Sequence, residues 1–242
     1  MIGTIVNVAG IIAGSLIGFL LKRGIPERIG KAIIKAQGIA VFVIGINGVL
    51  TAMLFIGGDG KLHDRGALLL TISLVLGCAI GEVIKIDDGL NRMGEAFEKK
   101  FGASGLAQGF IAGSLIFAVG AMTVVGAIND GLSGDHTILF TKTVLDFVTS
   151  IILATTLGIG VIFAAIPVFI VQGTFSMLAF VLAPYVTDEP IRLFSMVGYA
   201  IVLTIGINFF ADTKIKVANL LPALLIPIIY YYLILGLIVP LF

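Results

Sequence analysis

TKTVLDFVTSIILATTLGIGVIFAAIPVFIVQGTFSMLAFVLAPYV, residues 141–186, is apolar almost from end to end. A hydrocarbon core of ~30 Å is crossed by ~20 helical residues at 1.5 Å each, so the stretch is too long for one perpendicular span. It reads either as one long tilted helix or as two spans, with Leu157-Gly158-Ile159-Gly160 and Pro167 offering breaks. Charge elsewhere in the chain decides between them. Lys22, Arg23, Arg28, Lys31 and Lys35 mark the loop after the first span as cytoplasmic by the positive-inside rule, and Lys85, Arg92, Lys99 and Lys100 place the loop after the third on the same side. Two spans in 141–186 put Lys214 and Lys216 inside as well; one span puts them outside. The reading is therefore eight spans with both termini outside: 3–21, 36–56, 66–84, 106–128, 141–165, 167–186, 193–211 and 217–240.

Composition supports this. Of 242 residues 59% are hydrophobic and 12% charged, about half the charged fraction of a soluble domain, and the mean hydropathy is +1.17. The expectation is one all-α, polytopic membrane domain over 1–242, an integral protein of a bacterial inner membrane. Strand-length alternation, the mark of a membrane β-barrel, is missing. The first apolar run has no preceding positive region and is followed by Lys22 and Arg23, so it reads as an uncleaved span rather than a signal peptide. A net charge of +1 without a basic stripe argues against a nucleic-acid partner. The single cysteine, Cys78, leaves no disulfide or zinc cluster to build. His63 and His136 both fall in outer loops, and no metalloprotease, nucleophile-elbow or phosphate-loop motif occurs. No enzymatic activity and no cofactor are expected.

Ionisable groups inside a span cost at least ~2.5–3.5 kcal/mol at its centre, so each needs a reason. The densest group is GAMTVVGAINDGLSGDHTILFTKTVLDFVTS, residues 120–150. Asn129 and Asp130 end span 4, Asp135 and His136 form a short outer loop, and Lys142 and Asp146 lie in span 5. Lys142, Asp146, Thr149 and Ser150 share one helix face, where the lysine and aspartate can neutralise each other and the hydroxyls extend a polar lane inward. Gly120 and Gly126 would let span 4 unwind beside that lane and free its carbonyls for an ion. The competing reading is a structural ion pair plus ordinary interfacial polarity, favoured for Asp130, Asp135 and His136. Glu82 ends span 3 as either a cation site or a partner for Lys85. Asn47, Asn208 and Gln172 are amides at depth that bond neighbouring helices or coordinate a solute.

Two internal echoes suggest an inverted repeat: GIIAGSLI (10–17) with GFIAGSLI (109–116), and IGIN (44–47) with IGIN (205–208). Helix packing through small residues such as Gly10, Gly14 and Gly18, or Gly109 and Gly113, explains the first equally well. Residues 86–101 carry Ile86, Leu90, Met93, Phe97 and Phe101 at helical spacing, an amphipathic helix that reads as lying on the inner membrane surface and equally as an interdomain strut or a dimer contact.

GAMTVVGAINDGL and the following FTKTVLDFVTSIILATTLGIGVIFAAIPVFIVQG, with GEVIKID (81–87) and LLPALLIP (220–227), resemble the YdfK/YqgA family of bacterial inner-membrane proteins, grouped under a domain of unknown function. The resemblance covers essentially the whole chain. It implies a small multi-spanning protein, a candidate transporter without a known substrate, and emphasises Gly120, Asn129, Asp130, Lys142, Asp146, Gly158, Gly160, Pro167 and Gln172. Thr143 stands where the family pattern suggests serine, and keeps the hydroxyl. The leading functional expectation is a secondary transporter or ion-conducting protein for a small solute, a cation first among them, acting between spans 4 and 5. The competing one is a non-transporting scaffold or sensor. Membrane lipids and a second copy of the chain, as a homodimer, are the expected partners.

Overall fold

The computed structural model describes residues 1–21, 26–89, 92, 105–118, 121–211 and 213–235. Its elements in chain order are α1 (Ile2–Leu20), α2 (Glu27–Met53), the strands β1 (Leu54–Ile56) and β2 (Leu62–Asp64), α3 (Ala67–Ile84), α4 (Gly105–Ala118), α5 (Ala121–Leu132) and α6 (Thr137–Leu157). A 3₁₀ segment, Gly158–Ala164, leads into α7 (Ala165–Leu182), and α8 spans Asp188–Ala211. A second 3₁₀ segment, Val217–Leu224, then leads through α9 (Leu225–Ile229) into a π-helical turn, Tyr230–Leu235. Among the described residues the protein is all-α apart from one small hairpin.

Among the described residues five helices, Ile2–Leu20, Arg28–Met53, Ala67–Ile84, Thr137–Tyr185 and Asp188–Ala211, are long and apolar enough to cross a membrane. The pair Gly109–Ala118 and Met122–Leu132, bent by 57°, makes a sixth when counted as one span. The 49-residue helical run Thr137–Tyr185 is not straight. Gly3 lies against Leu139, and Asp130 contacts both the Gly3 backbone and Ser176. A straight helix would hold positions 139 and 176 about 55 Å apart at 1.5 Å per residue, so the chain must double back between them. Gly158 provides the break with φ 75°, ψ −164°, a conformation open to glycine and closed to ordinary side chains. Pro167, the other expected break, is the third residue of α7, where its missing N–H costs no intrahelical bond.

Three expectations are corrected. Residues 54–56, read as the end of span 2, pair instead with 62–64 in an antiparallel hairpin, Leu54 opposite Asp64. The last span is not a regular α-helix: Pro222 and Pro227 interrupt the donor ladder, and the segment changes from 3₁₀ to α to π. The described parts of span 4, Gly109–Ala118 and Met122–Leu132, are bent by 57°. Gly120 lies outside the described residues, as do 90–91 and 93–101 of the expected surface helix. Gly126 sits within α5, where a β-carbon would press on Ile138 and Leu139, so it serves packing.

The chain divides into two compact units. In the first, Met1–Gln37 with Asp88–Pro184, α1 runs parallel to α6. Gly10, Gly14 and Gly18 face Thr143, Phe147 with Ser150, and Ile151 with Ala154 in turn. A β-carbon at Gly14 would collide with the Phe147 carbonyl, so the backbones approach as only small residues permit. Gly109 and Gly113 of α4 are likewise consumed against Gly160, Val161 and Ala164 of the 3₁₀ segment. Ile11, Phe117, Ala154, Val161, Ala164 and Val168 belong to one apolar cluster.

In the second unit, Gly38–Asp87 with Tyr185–Phe242, α2 runs antiparallel to α8. Gly45 meets Leu203, three residues before Gly206, and Gly206 meets Phe42, three residues before Gly45. The two IGIN stretches thus occupy reciprocal positions across one helix pair. Gly77 and Gly81 of α3 lie against Ala223 and Asn219 of the second 3₁₀ segment. The glycine stripes of α1, α3 and α4 are all spent within the chain.

Candidate functional site

Asp130, in the last turn of α5, is buried, 3% exposed. Its Oδ1 accepts the Gly3 backbone N–H at 3.3 Å and contacts His136 Nδ1. Its Oδ2 pairs with the Met1 ammonium at 2.7 Å. The Ser176 hydroxyl of α7 lies 2.8 Å from that oxygen and 2.9 Å from the Ala127 carbonyl, and donates its one proton to either. One carboxylate therefore ties together the start of α1, the end of α5, the residue preceding α6, and α7. Helix α1 opens with N–H groups that have no intrahelical acceptor, and a carboxylate is the natural partner for them.

One turn further in, Lys142 and Asp146 form the expected i,i+4 ion pair on α6, both about 5% exposed. Asn7 of α1 donates its amide to the same carboxylate oxygen at 3.0 Å. A buried pair gives back the cost of leaving water only when its remaining polar atoms are bonded. Here they are not all bonded. Asn7 Oδ1, Thr4 Oγ1 and both amide atoms of Gln172 are buried without a hydrogen-bond partner, and Thr4, Asn7 and Gln172 expose no surface. Ser15, also on the buried face of α1, is in the same condition.

The expected residues part company at this point. Asn129, Asp130, Lys142, Asp146, Ser150 and Gln172 are all buried in the first unit. Ser150 spends its hydroxyl on the Phe147 carbonyl at 2.8 Å, and Thr149 is half-buried. The Phe117 carbonyl accepts from the Thr123 hydroxyl at 3.2 Å. The other three lie in the second unit and do other work. Glu82 is exposed and accepts from Asn219 Nδ2 at 2.8 Å, so its partner is Asn219 rather than Lys85. Asn208 braces the chain after α8: its amide donates to the Ile215 carbonyl, and its oxygen accepts from the Thr213 hydroxyl and the Ile215 N–H. Asn47 is exposed on α2.

Thr4, Asn7 and Ser176 escaped the sequence reading. The signal for Asn7 was its place seven residues before Gly14, on the stripe already visible at Gly14 and Gly18. The signal for Ser176 was its spacing four residues after Gln172. Among the described residues no group of three histidine, cysteine or acidic side chains is placed to hold a metal ion. The arrangement offers side-chain oxygens, one amide donor and a neutralised carboxylate.

Comparison with known proteins agrees with the architecture. Residues 2–232 match the model of a family described as a protein of unknown function, DUF554. The chain is 34% identical over 227 residues to the uncharacterized membrane protein YdfK of Bacillus subtilis, covering 94% of each. It is 31% identical over 233 residues to the uncharacterized protein YqgA of Escherichia coli, covering 93% of this chain and 94% of the relative. No solved structure matches. The chain is a membrane protein of the DUF554 family.

Proposed function

We propose that the protein is a secondary transporter or ion-conducting membrane protein for a small solute, and that the solute is a cation. The observation that supports this is the buried polar layer of the first unit. An ion pair at depth stands beside amide and hydroxyl groups that the fold leaves unbonded. Intramembrane ionisable residues are expensive and mark ion or solute paths more often than they mark packing. Asn129, Asp130, Lys142, Asp146 and Gln172 carry the path in this reading, which assigns the protein no enzymatic chemistry and no cofactor. Eight crossings of a bacterial inner membrane with both termini outside, and a homodimer in the lipid, complete it. The reciprocal IGIN contacts favour an inverted repeat.

Flux into proteoliposomes, screened across cations and amino acids, tests the reading. Asp146→Asn abolishes whatever flux is found. A well-folded protein that moves no solute overturns the reading in favour of a scaffold or sensor. External labelling tests the topology: Asp188→Cys reacts, Glu98→Cys does not, and strong labelling at Lys214→Cys sinks the eight-span arrangement. A monomeric mass in both mild detergent and nanodiscs overturns the dimer.

A further inference from the structure

We propose that the β1–β2 hairpin is an interfacial lipid anchor. Its face of Leu54, Ile56 and Leu62 rests in the headgroup and upper acyl layer of the bilayer and holds the adjoining ends of α2, α3 and α8 at that depth. This goes beyond the transport reading and stands whether or not the protein moves a solute.

The pairing register divides the hairpin into two unlike faces. Side chains alternate along a strand, and directly opposed residues share a face. Leu54 pairs with Asp64, Phe55 with His63 and Ile56 with Leu62, so Leu54, Ile56 and Leu62 lie together and Phe55 lies with His63. The second face is occupied by its own contacts. The Phe55 and His63 rings stack with centroids 5.6 Å apart, the Arg65 guanidinium stands 5.1 Å over Phe55, and His63 Nε2 meets Asp59 Oδ1 at 2.9 Å. The first face is left open by the described residues. Ile56 is 77% exposed and Leu62 67%, a cross-strand apolar pair beside the turn. A lone two-stranded ribbon is marginal at best in water, and covering such a face stabilises it.

Chain length says what covers it. Helix α3 begins directly after Arg65 and Gly66, and its 18 residues span about 27 Å, slightly less than the ~30 Å hydrocarbon core. It exposes apolar side chains from its second residue onward, at Leu68, Ile72, Val75 and Leu76, so its first turn is already in lipid. The Arg65 N–H donates to the Met53 carbonyl at 3.0 Å and closes the ribbon where α2 ends. Strands of three residues reach about 10 Å from that point, and the headgroup layer is itself about 5–8 Å deep. Whatever its tilt, the hairpin stays within or beside that layer, and its apolar face continues the lipid-facing surface of α3.

The neighbouring groups suit the same level. Glu189, in the first turn of α8, lies 3.8 Å from Arg65, and Arg192 of α8 donates to the Ala52 carbonyl. Just before α8, Tyr185 is 79% exposed and its carbonyl accepts from the Tyr232 hydroxyl at 3.4 Å. Tyrosines gather at membrane–water interfaces because the ring is apolar and the hydroxyl is not. Between positions 54 and 65 the acids Asp59 and Asp64 balance the bases Lys61 and Arg65. The anchor therefore works by apolar burial and not by attraction to anionic lipid.

The test places one cysteine at a time, labelled with the environment-sensitive fluorophore NBD, in the full-length Cys78→Ala protein in phosphatidylcholine nanodiscs. Ile56→Cys and Leu62→Cys report the apolar face. Lys61→Cys reports a position one residue out of phase with it and keeps both backbone hydrogen bonds of the turn. All three positions are exposed, so each labelled protein keeps the Tm of its Cys78→Ala parent. At 56 and 62 the emission shifts to the blue, and lipid spin-labelled high on its acyl chain quenches it several-fold more than at 61; aqueous iodide shows the opposite order. Adding anionic lipid changes none of this. Water-like emission at both 56 and 62 overturns the proposal. So does shielding from iodide without quenching by spin-labelled lipid, which assigns the face to a second copy or another protein. Indistinguishable behaviour at all three positions removes the two-face assignment on which the anchor rests, and a response that needs anionic lipid replaces it with a headgroup-specific site.

Discussion

The two units are built by the same means and differ in what they bury. Each sets two long helices close together across glycines, α1 on α6 and α2 on α8. Each also lays a glycine-faced helix on a 3₁₀ segment: α4 on Gly158–Ala164, α3 on Val217–Leu224. In the second unit the buried polar residues among those described are Ser73 and Asn219, and Asn219 is bonded through both ends of its amide. Its charges stay near helix ends, with Arg192 on Glu189 and on the Ala52 carbonyl. The first unit holds Asp130, Lys142 and Asp146 at depth. Helix packing of this kind therefore does not require buried charge.

The largest expected effect breaks the ion pair that marks this difference. Lys142→Met or Asp146→Leu alone leaves one buried charge uncompensated and costs about 3–5 kcal/mol. The double variant recovers most of that, because two apolar side chains replace the pair at similar volume. Unfolding of single and double variants measures the stability, and flux measures the function. A functional pair gives a folded, inactive double variant; a stable and fully active one retires Asp146 as a site residue.

The shared packing is tested next. Gly14→Val in the first unit and Gly81→Val in the second each push a side chain into backbone, at Phe147 and Asn219 respectively. Overpacking of this order costs about 1–3 kcal/mol. Equal losses in the two units support one packing scheme. A loss confined to one unit breaks the analogy.

How much of this the sequence could tell follows from what each residue has to contact. Apolar length and loop charge revealed an all-α membrane chain, and Gly158 was visible as a break because few other residues turn a helix back so tightly. The Lys142–Asp146 pair was legible because both partners lie four residues apart on one helix. Asn7 was not legible, since its partner is remote in sequence and only the close approach of α1 and α6 brings it near. Asp130 looked interfacial because it sits at a helix end; it is buried because α1 and α7 cover that end. Asn208 looked like a membrane amide, yet its partners, Thr213 and Ile215, are in the chain just after α8. The irregular last segment was signalled by Pro222 and Pro227, which the apolar run around them outweighed.

Hydrogen-bonded and unbonded amides should also separate the units. Asn219→Leu removes the hydrogen bonds that Asn219 makes to Glu82 and to the Asp87 N–H and costs about 1–2 kcal/mol. Gln172→Met removes no hydrogen bond and costs nothing measurable. Thermal unfolding of the two variants side by side decides it; a loss in Gln172→Met equal to that in Asn219→Leu would assign Gln172 a packing role. Smaller again is Glu189→Gln, which removes a partly exposed partner of Arg192 and Arg65 and costs about 0.2–1 kcal/mol after solvent screening.

The smallest effect is local to the β-hairpin of the second unit. Asp59 accepts a hydrogen bond from His63 Nε2 at 2.9 Å and one from the Lys61 N–H at 3.0 Å. The His63 contact first, and the Lys61 N–H after it, hold the Asp59 carboxyl below its usual range. A carboxyl lowered on folding stabilises the folded form above its unfolded value of ~3.9, and that contribution is lost as pH falls through the depressed folded value. Acid should therefore loosen the turn between β1 and β2 before it touches either helix pair. Hydrogen exchange at the Leu62 and His63 amides, compared at pH 6 and pH 3 between wild type and Asp59→Asn, reads this directly. Wild type loses protection at the lower pH relative to the variant, whose amide does not titrate. Identical pH profiles for the two proteins would show that the strand pairing of Leu54–Ile56 with Leu62–Asp64, rather than the Asp59 carboxylate, holds the hairpin closed.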